Sequence, residues 1–293
     1  MKRYIILVVT AAVIVSLCGC TGSQPQAQVA ATTLPVYEFT QYLCNGTDIT
    51  VSQLISENVS CLHDYTLQVS QMRILESADM IICSGAGLEE FMHDILQTSS
   101  KVIDASEDIA LLCGGHDHEH TGVSEHSHSH DPHIWLSPLN AKTMAGNICS
   151  GLCEQFPQHQ QTIRRNLNDL ESELDALYQY GLSELSAIPH RELITFHDGF
   201  AYFAESFGLS ILHAVEEESG GEASAAELIH LIEMITIHDL PAIFTEVNGS
   251  TAAASIVAKE AGVPVFTLDM AISSDSYFDA MYHNINVVKE ALG

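Results

Sequence analysis

Histidine is concentrated in one short stretch of the sequence. Residues 113–135 read CGGHDHEHTGVSEHSHSHDPHIW and contain seven of the sixteen histidines of the chain. The first six lie among glycine, serine, threonine and acidic residues, without the apolar periodicity of a buried segment; they are His116, His118, His120, His126, His128 and His130. Because histidine-rich tracts bind metal ions, we expect residues 114–131 to form an auxiliary metal-collecting loop. A solvated spacer is the alternative interpretation.

Four other metal-competent side chains follow a β-rich run or end the histidine-rich loop. His63 lies in CLHDY, His133 in DPHIW, His197 in ITFHDGF and Asp269 in FTLDM. Ligands of open α/β sheets bind beyond the carboxyl ends of the strands, so residues leaving strand ends in two lobes can converge across a cleft. Three imidazoles and one carboxylate form a tetrahedral shell that suits Zn²⁺. These four residues are therefore the predicted zinc ligands.

The remaining histidines lack this context. A single histidine is more often exposed or hydrogen-bonded than a metal ligand. We therefore expect seven of them to be solvated or to cap helices: His93, His159, His190, His213, His230, His238 and His283. HExxH does not occur in the chain, and HxxEH occurs only as HDHEH at 116–120 inside the histidine-rich loop, so a zinc-protease interpretation lacks a motif on a predicted helix.

Short β-rich runs alternate with helical patterns along the chain from residue 29. The β-rich runs cover residues 29–33, 48–55, 79–85, 192–196, 209–215, 241–247 and 263–269. Between the two halves, residues 158–188 carry leucine and isoleucine at helical spacing, which predicts one long amphipathic helix. The chain is therefore expected to be an α/β protein with two lobes of mainly parallel sheet, 29–157 and 189–293, joined by that helix. The metal site would lie in the cleft between the lobes.

The N-terminus carries an export pattern. Lys2 and Arg3 precede the apolar run YIILVVTAAVIVSL, and the sequence LCGC follows. This resembles the lipobox of bacterial lipoproteins and predicts a signal peptide over 1–19, a lipid-modified Cys20 and a polar tether over 20–28. A transmembrane anchor is the alternative, but the apolar run is shorter than the ~20 residues that a spanning helix needs. The expected location is extracytoplasmic, lipid-anchored to the cell membrane.

The charge balance and the cysteines limit the partners and the cross-links. The chain has ten lysines and arginines and 38 acidic residues, which gives a formal charge of −28. This charge repels nucleic acid and anionic lipid and attracts cations. Two of the eight cysteines lie at the export site, and the other six belong to the part of the chain that would be exported. Disulfides are therefore possible, and the sequence leaves their pairing open.

Longer motifs surround the predicted ligands. They are DPHIWLSP at 131–138, TFHDGFAYFAESFGL at 195–209, GGEASAAELIHLIEMI at 220–235 and TEVNGSTAAASIVAKEAGVPVFTLD at 245–269. From about Val29 onward the chain resembles the metal-binding subunits of bacterial ABC importers, cluster A-I (cluster 9), and most closely the zinc-specific branch. Two positions depart from that pattern: CLHDYTLQ lacks the prolines usual around the first histidine, and Met270 replaces the proline usual after the last ligand.

The resemblance implies a carrier rather than an enzyme. It implies an extracytoplasmic substrate-binding protein, a monomer, that captures Zn²⁺ and delivers it to an ABC-type membrane permease. A manganese- or iron-binding member of the same family is the first alternative, and harder oxygen ligands would favour it. A zinc-dependent hydrolase is the second, and its signature would be an open coordination position beside a general base. The sequence also leaves open an additional role in cell adhesion.

Overall fold

The computed structural model describes residues 28–56, 62, 65–99, 101–113, 130–215, 223–272 and 274–293. Several predictions from the sequence concern residues outside these ranges. They are the signal peptide, the lipidation site Cys20, the ligand His63, and His116, His118, His120, His126 and His128 of the histidine-rich loop. None of the helices in the described ranges is both long enough and apolar enough to span a bilayer.

The first lobe is built on a parallel four-stranded sheet. Its strands are β1 (Val29–Ala31), β2 (Val51–Gln53), β3 (Met80–Cys83) and β4 (Val102–Asp104), in the order β2-β1-β3-β4. Its helices are α1 (Leu34–Cys44), α2 (Val69–Ser77), α3 (His93–Thr98) and α4 (Pro138–Gln155). Every residue of β1 and β3 is buried. This explains their uninterrupted apolar sequences, because the central strands of a parallel sheet are covered on both faces.

A buried carboxyl group ties the ends of β1 and β3 together. Glu89 accepts hydrogen bonds from the Thr32 hydroxyl (2.5 Å) and from the backbone amides of Ser84 (2.7 Å) and Gly85 (3.0 Å). Burial outweighs these three bonds and raises the pKa of Glu89 to about 7. The carboxyl group therefore fixes the backbone where both central strands leave the sheet.

One long helix connects the lobes. A 3₁₀ turn at Pro157–His159 leads into α5 (Gln160–Leu185), whose 26 residues extend over about 39 Å. Its buried face includes Ile163, Leu170, Leu174 and Leu177, and it packs against α1 and α4 of the first lobe and against the C-terminal helix α9 (Tyr277–Leu292). The helix thus shares its core with elements from both halves of the chain.

The second lobe repeats the parallel arrangement. Its strands are β5 (Glu192–Thr195), β6 (Ser210–Ala214), β7 (Ile243–Glu246) and β8 (Val265–Leu268), in the order β6-β5-β7-β8. Besides α9, its helices are α6 (Ala201–Phe207), α7 (Ala225–His238) and α8 (Ala252–Ala261). Ser224 caps α7 by accepting a hydrogen bond from the Glu227 amide (3.2 Å), and Gly208 and Gly262 end α6 and α8 in the left-handed conformation.

The two parallel sheets and the long helix confirm the predicted α/β fold. The sequence analysis did not predict β4 and α3. Strand β4 has only three residues, none of them buried, and α3 has only six, so neither shows a hydrophobic period.

Two helical glycines provide a matched test of the packing of the long helix. A Cβ atom on Gly181 of α5 would lie 2.2 Å from Phe207 Cε1, whereas a Cβ atom on Gly146 of α4 would have no neighbour within 4 Å. We expect Gly181→Ala to lower the free energy of unfolding by ~1–3 kcal/mol through overpacking. Gly146→Ala should leave it unchanged or raise it by up to ~1 kcal/mol through helix propensity. Urea unfolding of both variants measures the difference, and equal stabilities would contradict this account of the helix packing.

Candidate metal centre

Chemically active side chains collect at the carboxyl edge of the second sheet. His197 follows β5 after one residue, Glu246 is the last residue of β7, and Asp269 directly follows β8. Strand β7 lies between the other two, and Glu246 is in register with Leu268. Since all these strands are parallel, the three side chains leave the sheet at the same edge.

His133 comes to this edge from the first lobe and is held by its neighbour Asp131. The His133 Nδ1 atom lies 2.7 Å from Asp131 Oδ1, which also accepts a hydrogen bond from the His133 backbone amide (2.9 Å). Both residues are buried, each with 4 % exposure. A histidine whose Nδ1–H is bonded to a carboxylate has its Nε2 lone pair available for a metal ion, and the carboxylate increases the basicity of that ligand.

His197 faces His133 across the cleft. The two ring centroids are 5.4 Å apart, with the ring planes at 77°. The His197 Nδ1 atom lies 3.4 Å from Glu246 Oε1, and Glu246 is 6 % exposed. Each histidine therefore has a buried carboxylate on its Nδ1 side, the arrangement by which proteins orient imidazole ligands toward a metal ion.

A glycine allows the two histidines to approach. A Cβ atom on Gly199 would lie 2.9 Å from His197 Cδ2, 3.0 Å from His133 Nδ1 and 2.5 Å from the Met270 methyl group. Any side chain at this position would displace at least one of the two rings. Met270, which replaces the proline usual after the last ligand, is buried and fills the space beside Gly199.

Three buried aromatic residues fix the His133 segment to the second lobe. The Trp135 indole Nε1–H donates a hydrogen bond to the Met270 carbonyl (2.8 Å), and the Tyr277 hydroxyl donates to the Trp135 carbonyl (2.9 Å). The Tyr202 hydroxyl donates to the Asp131 carbonyl (3.0 Å). Trp135 is fully buried. His133 is consequently held in the same frame as the strand ends of the second lobe.

Asp269 is engaged within its own turn. Its carboxylate accepts hydrogen bonds from the Ala271 amide (2.8 Å) and from the Ser274 hydroxyl, which is 2.6 Å from both carboxylate oxygens. Its backbone amide and carbonyl are both bonded to the side chain of buried Asn284 (2.7 Å each). Coordination of a metal ion by Asp269 would therefore exchange one or more of these bonds.

The described residues bring together part of the predicted ligand set. His133 and His197 are adjacent, and Asp269 follows a strand of the same sheet. Within the described ranges no three histidine, cysteine, aspartate or glutamate side chains are close enough together to hold a metal ion. The four-ligand shell that includes His63 therefore stays a prediction. Among the loop histidines, exposed His130 forms an antiparallel bridge with Cys113 at the base of the loop.

Two carboxylates of the centre were not predicted from the sequence, and the prediction for one histidine was wrong. Asp131 and Glu246 were not proposed as part of the centre. The sequence held a signal for each, because Asp131 lies two residues before His133 and Glu246 lies at the end of an apolar strand run. His213 was expected to be solvated or capping, but it is 7 % exposed on β6, with its Nε2 atom 3.9 Å from Glu227 Oε1. Its position on a strand beside α7 explains the burial.

Known proteins resemble this chain over almost its full length. The family described as "ZnuA: Zinc-uptake complex component A periplasmic" matches residues 29–291. A putative metal-binding protein of Treponema pallidum (strain Nichols) is 29 % identical over 99 % of this chain and 97 % of its own length. The zinc-binding lipoprotein AdcA of Streptococcus pneumoniae (serotype 4, strain ATCC BAA-334 / TIGR4) is 29 % identical over 94 % of this chain, which spans only 59 % of AdcA. A crystal structure of ZnuA, 27 % identical, superposes with a TM-score of 0.78 over 91 % of this chain and all of that one.

The Asp131 carboxylate provides a test of the histidine frame. Asp131→Asn keeps an oxygen that can accept both bonds from His133 but removes the negative charge, so we expect Zn²⁺ affinity to fall ~10- to 100-fold with the fold intact. Competition titration against a chelator measures the loss. The matched control is Asp175→Asn, which removes the same charge from the exposed Lys142–Asp175 ion pair. Equal effects of the two substitutions would show that Asp131 acts only through net charge.

Proposed function

This chain belongs to the ZnuA family of periplasmic zinc-uptake components, and we propose that it captures Zn²⁺ at the centre of His133 and His197 and delivers it to the permease of an ABC-type importer. Membership of that family confirms the resemblance drawn from motifs such as DPHIWLSP. It also confirms the prediction of a transport component, in place of the alternative of a zinc hydrolase. The extracytoplasmic location follows from the same family.

The choice of Zn²⁺ rests on two imidazoles, buried His133 and half-buried His197, each with a carboxylate on its Nδ1 side. Imidazole nitrogen suits zinc, whereas carboxylate and water suit manganese, and zinc lies above manganese in the Irving–Williams order. The carboxylates Asp131 and Glu246 face the Nδ1 atoms of the histidines, so they act on the ligands and leave the Nε2 atoms for the ion. An oxygen ligand in place of His197 would suit manganese or iron better than an imidazole does.

His63 and Asp269 complete the proposed shell. The residues flanking His63 are anchored: Leu62 is 2 % exposed within the core, and the Tyr65 amide donates to the Leu62 carbonyl (3.1 Å). The Tyr65 hydroxyl accepts a hydrogen bond from Gln71 (2.6 Å), which in turn donates to the Leu54 carbonyl (2.9 Å). For Asp269, support comes from its place directly after β8, the strand next to β7, and from the Trp135–Met270 bond one residue away.

The histidine-rich loop would serve as an auxiliary collector beside this centre. Its support is the sequence composition, together with the Cys113–His130 bridge that brings the two ends of the loop together. Weak imidazole sites near the cleft raise the local concentration of zinc without adding a contact at the tight site. The bridge also means that residues 114–129 can be replaced by a short turn for binding experiments.

A lipid anchor at Cys20 would hold the carrier beside its permease. The LCGC motif supports this proposal, as does the name of the AdcA relative, which is a lipoprotein. Residues 20–28 would then separate the membrane surface from β1. A monomeric state stays a prediction.

Replacement of His197 tests the choice of metal. The test uses the chain without residues 114–129. His197→Glu changes an N₃O shell into N₂O₂, so the affinity for zinc should fall more than the affinity for manganese, and the zinc-to-manganese affinity ratio should fall. His197→Ala should lower the affinity for both ions. For zinc the loss should be at least the ~10- to 100-fold that is typical when an outer-shell partner is removed. Paired competition titrations with the two ions give the ratio.

The control for this test is His93→Ala. His93 is exposed on α3 and bonded to Gln97 (2.7 Å), so its loss should leave both affinities unchanged. The zinc assignment of the centre would be wrong if His197→Glu preserved the affinity ratio.

Proton competition gives a second prediction. Histidine must be neutral to bind a metal, and its ordinary pKa is ~6.5. Zinc affinity should therefore fall as the pH drops below about 6.5, with a limiting slope set by three imidazoles per ion. Calorimetric titration from neutral pH to about pH 5 measures the slope. A constant affinity over that range would indicate a site of carboxylates or strongly acidic thiols instead.

A further inference from the structure

Two cysteines lie one helical turn apart on α4, remote in sequence from every residue of the histidine centre. Cys149 and Cys153 have the i, i+4 spacing that places side chains on the same helix face. Their Sγ atoms are 3.9 Å apart, and the residues are 4 % and 6 % exposed. None of the five described cysteines takes part in a disulfide: Cys44, Cys83, Cys113, Cys149 and Cys153.

Helix geometry opposes a disulfide between them. Residues at i and i+4 have Cβ atoms about 5–6 Å apart, whereas a disulfide needs Cβ atoms about 3.5–4.5 Å apart. Oxidation would therefore distort the last two turns of α4, a helix that packs against α5. The helix geometry favours two thiols over a disulfide, also in an oxidising compartment.

The same separation fits two sulfur ligands of one metal ion. With metal–sulfur bonds of ~2.3 Å and tetrahedral angles, two thiolate ligands lie about 3.8 Å apart. The observed 3.9 Å needs almost no rearrangement. Thiolate ligands select soft and borderline ions, of which Zn²⁺ and Cd²⁺ share the filled d-shell that imposes no geometry of its own.

A pocket gives access to the sulfur atoms. It has a volume of about 570 Å³, and its lining includes Cys149, Cys153, Glu154, Gln160, Arg164 and Asn168, so one cation and one carboxylate border the two sulfur atoms. Gly146, one turn before Cys149, has no side chain to narrow it. Solvent in the pocket can supply oxygen ligands for the remaining coordination positions.

We propose that Cys149 and Cys153 form a second metal site, a dithiolate site for a thiophilic d¹⁰ ion such as Zn²⁺ or Cd²⁺, independent of the histidine centre. Each thiol loses its proton to solvent as its metal–sulfur bond forms, so one ion displaces two protons. The ion keeps its oxidation state.

The electrostatics of the pocket set the conditions under which this site fills. Burial, together with the neighbouring Cys153, raises the pKa of the Cys149 thiol to about 12. Without metal the Cys149 thiol is protonated and poorly reactive. The site should therefore load after the histidine centre, and its apparent affinity should increase with pH because protons compete with the metal.

A cadmium titration tests the proposal on the mature protein already loaded with one equivalent of zinc. Binding of Cd²⁺ should produce thiolate-to-cadmium charge-transfer absorption and release two protons per ion. Cys149→Ser and Cys153→Ser should each weaken this binding at least tenfold and leave the zinc affinity of the histidine centre unchanged. Cys113→Ser, which removes an exposed cysteine at the base of the loop, is the matched control and should retain the signal.

A second measurement needs no substitution. Cadmium NMR of the wild-type protein reports the number of sulfur ligands through the chemical shift, and two sulfur ligands are expected. The proposal would be overturned by charge-transfer absorption that persists in the Cys149→Ser/Cys153→Ser double variant, by its loss in Cys113→Ser, or by a wild-type shift without sulfur ligands. Failure of the histidine centre would appear separately, as lost zinc binding with the cadmium signal intact.

Discussion

The hydrogen bond from the Trp135 indole to the Met270 carbonyl is the contact on which the geometry of the metal centre depends. Trp135 lies two residues after His133, and Met270 directly follows Asp269, so one buried bond relates two proposed ligands from the two lobes. Tyr277 and Tyr202 add bonds to the same segment. Water cannot compete for these buried groups, and breaking any of the bonds would leave an unsatisfied polar atom in the core. The lobes therefore meet in one defined arrangement.

This fixed arrangement shapes both the binding and the release of the ion. His197, Glu246 and Asp269 lie at the carboxyl edge of the second sheet because their strands are parallel, and Asp131 fixes His133 opposite them. The histidines are thereby oriented before a metal ion arrives, so little ordering entropy is lost on binding. The long helix α5 packs against both lobes and opposes a wide hinge motion. For the proposed carrier we therefore expect release to be a local event at the ligands that are bonded least extensively to the shared core.

The fold was predictable because its signals are local and repeated. Apolar strand runs and one long amphipathic helix predict two α/β lobes. His197 stands out because it follows such a strand run, and His133 because it ends the histidine-rich loop. The carboxylates behind them did not stand out, since sequence does not reveal whether an acidic residue is buried against a histidine or solvated. The burial of His213 and the local bonds of Asp269 likewise depend on packing between elements distant in sequence. Cys149 and Cys153 are four residues apart in the sequence, but the pocket beside them depends on packing against α5.

X-ray absorption at the zinc edge tests the central claim most directly, because it reports the atoms bound to the ion. The sample is the protein at neutral pH with one equivalent of zinc, so that the tight site alone is filled. The account predicts nitrogen and oxygen ligands at ~2.0–2.2 Å with the multiple scattering of three imidazoles, and no sulfur. A sulfur shell at ~2.3 Å, or a shell dominated by oxygen with fewer than two imidazoles, would contradict a zinc centre built on His133 and His197.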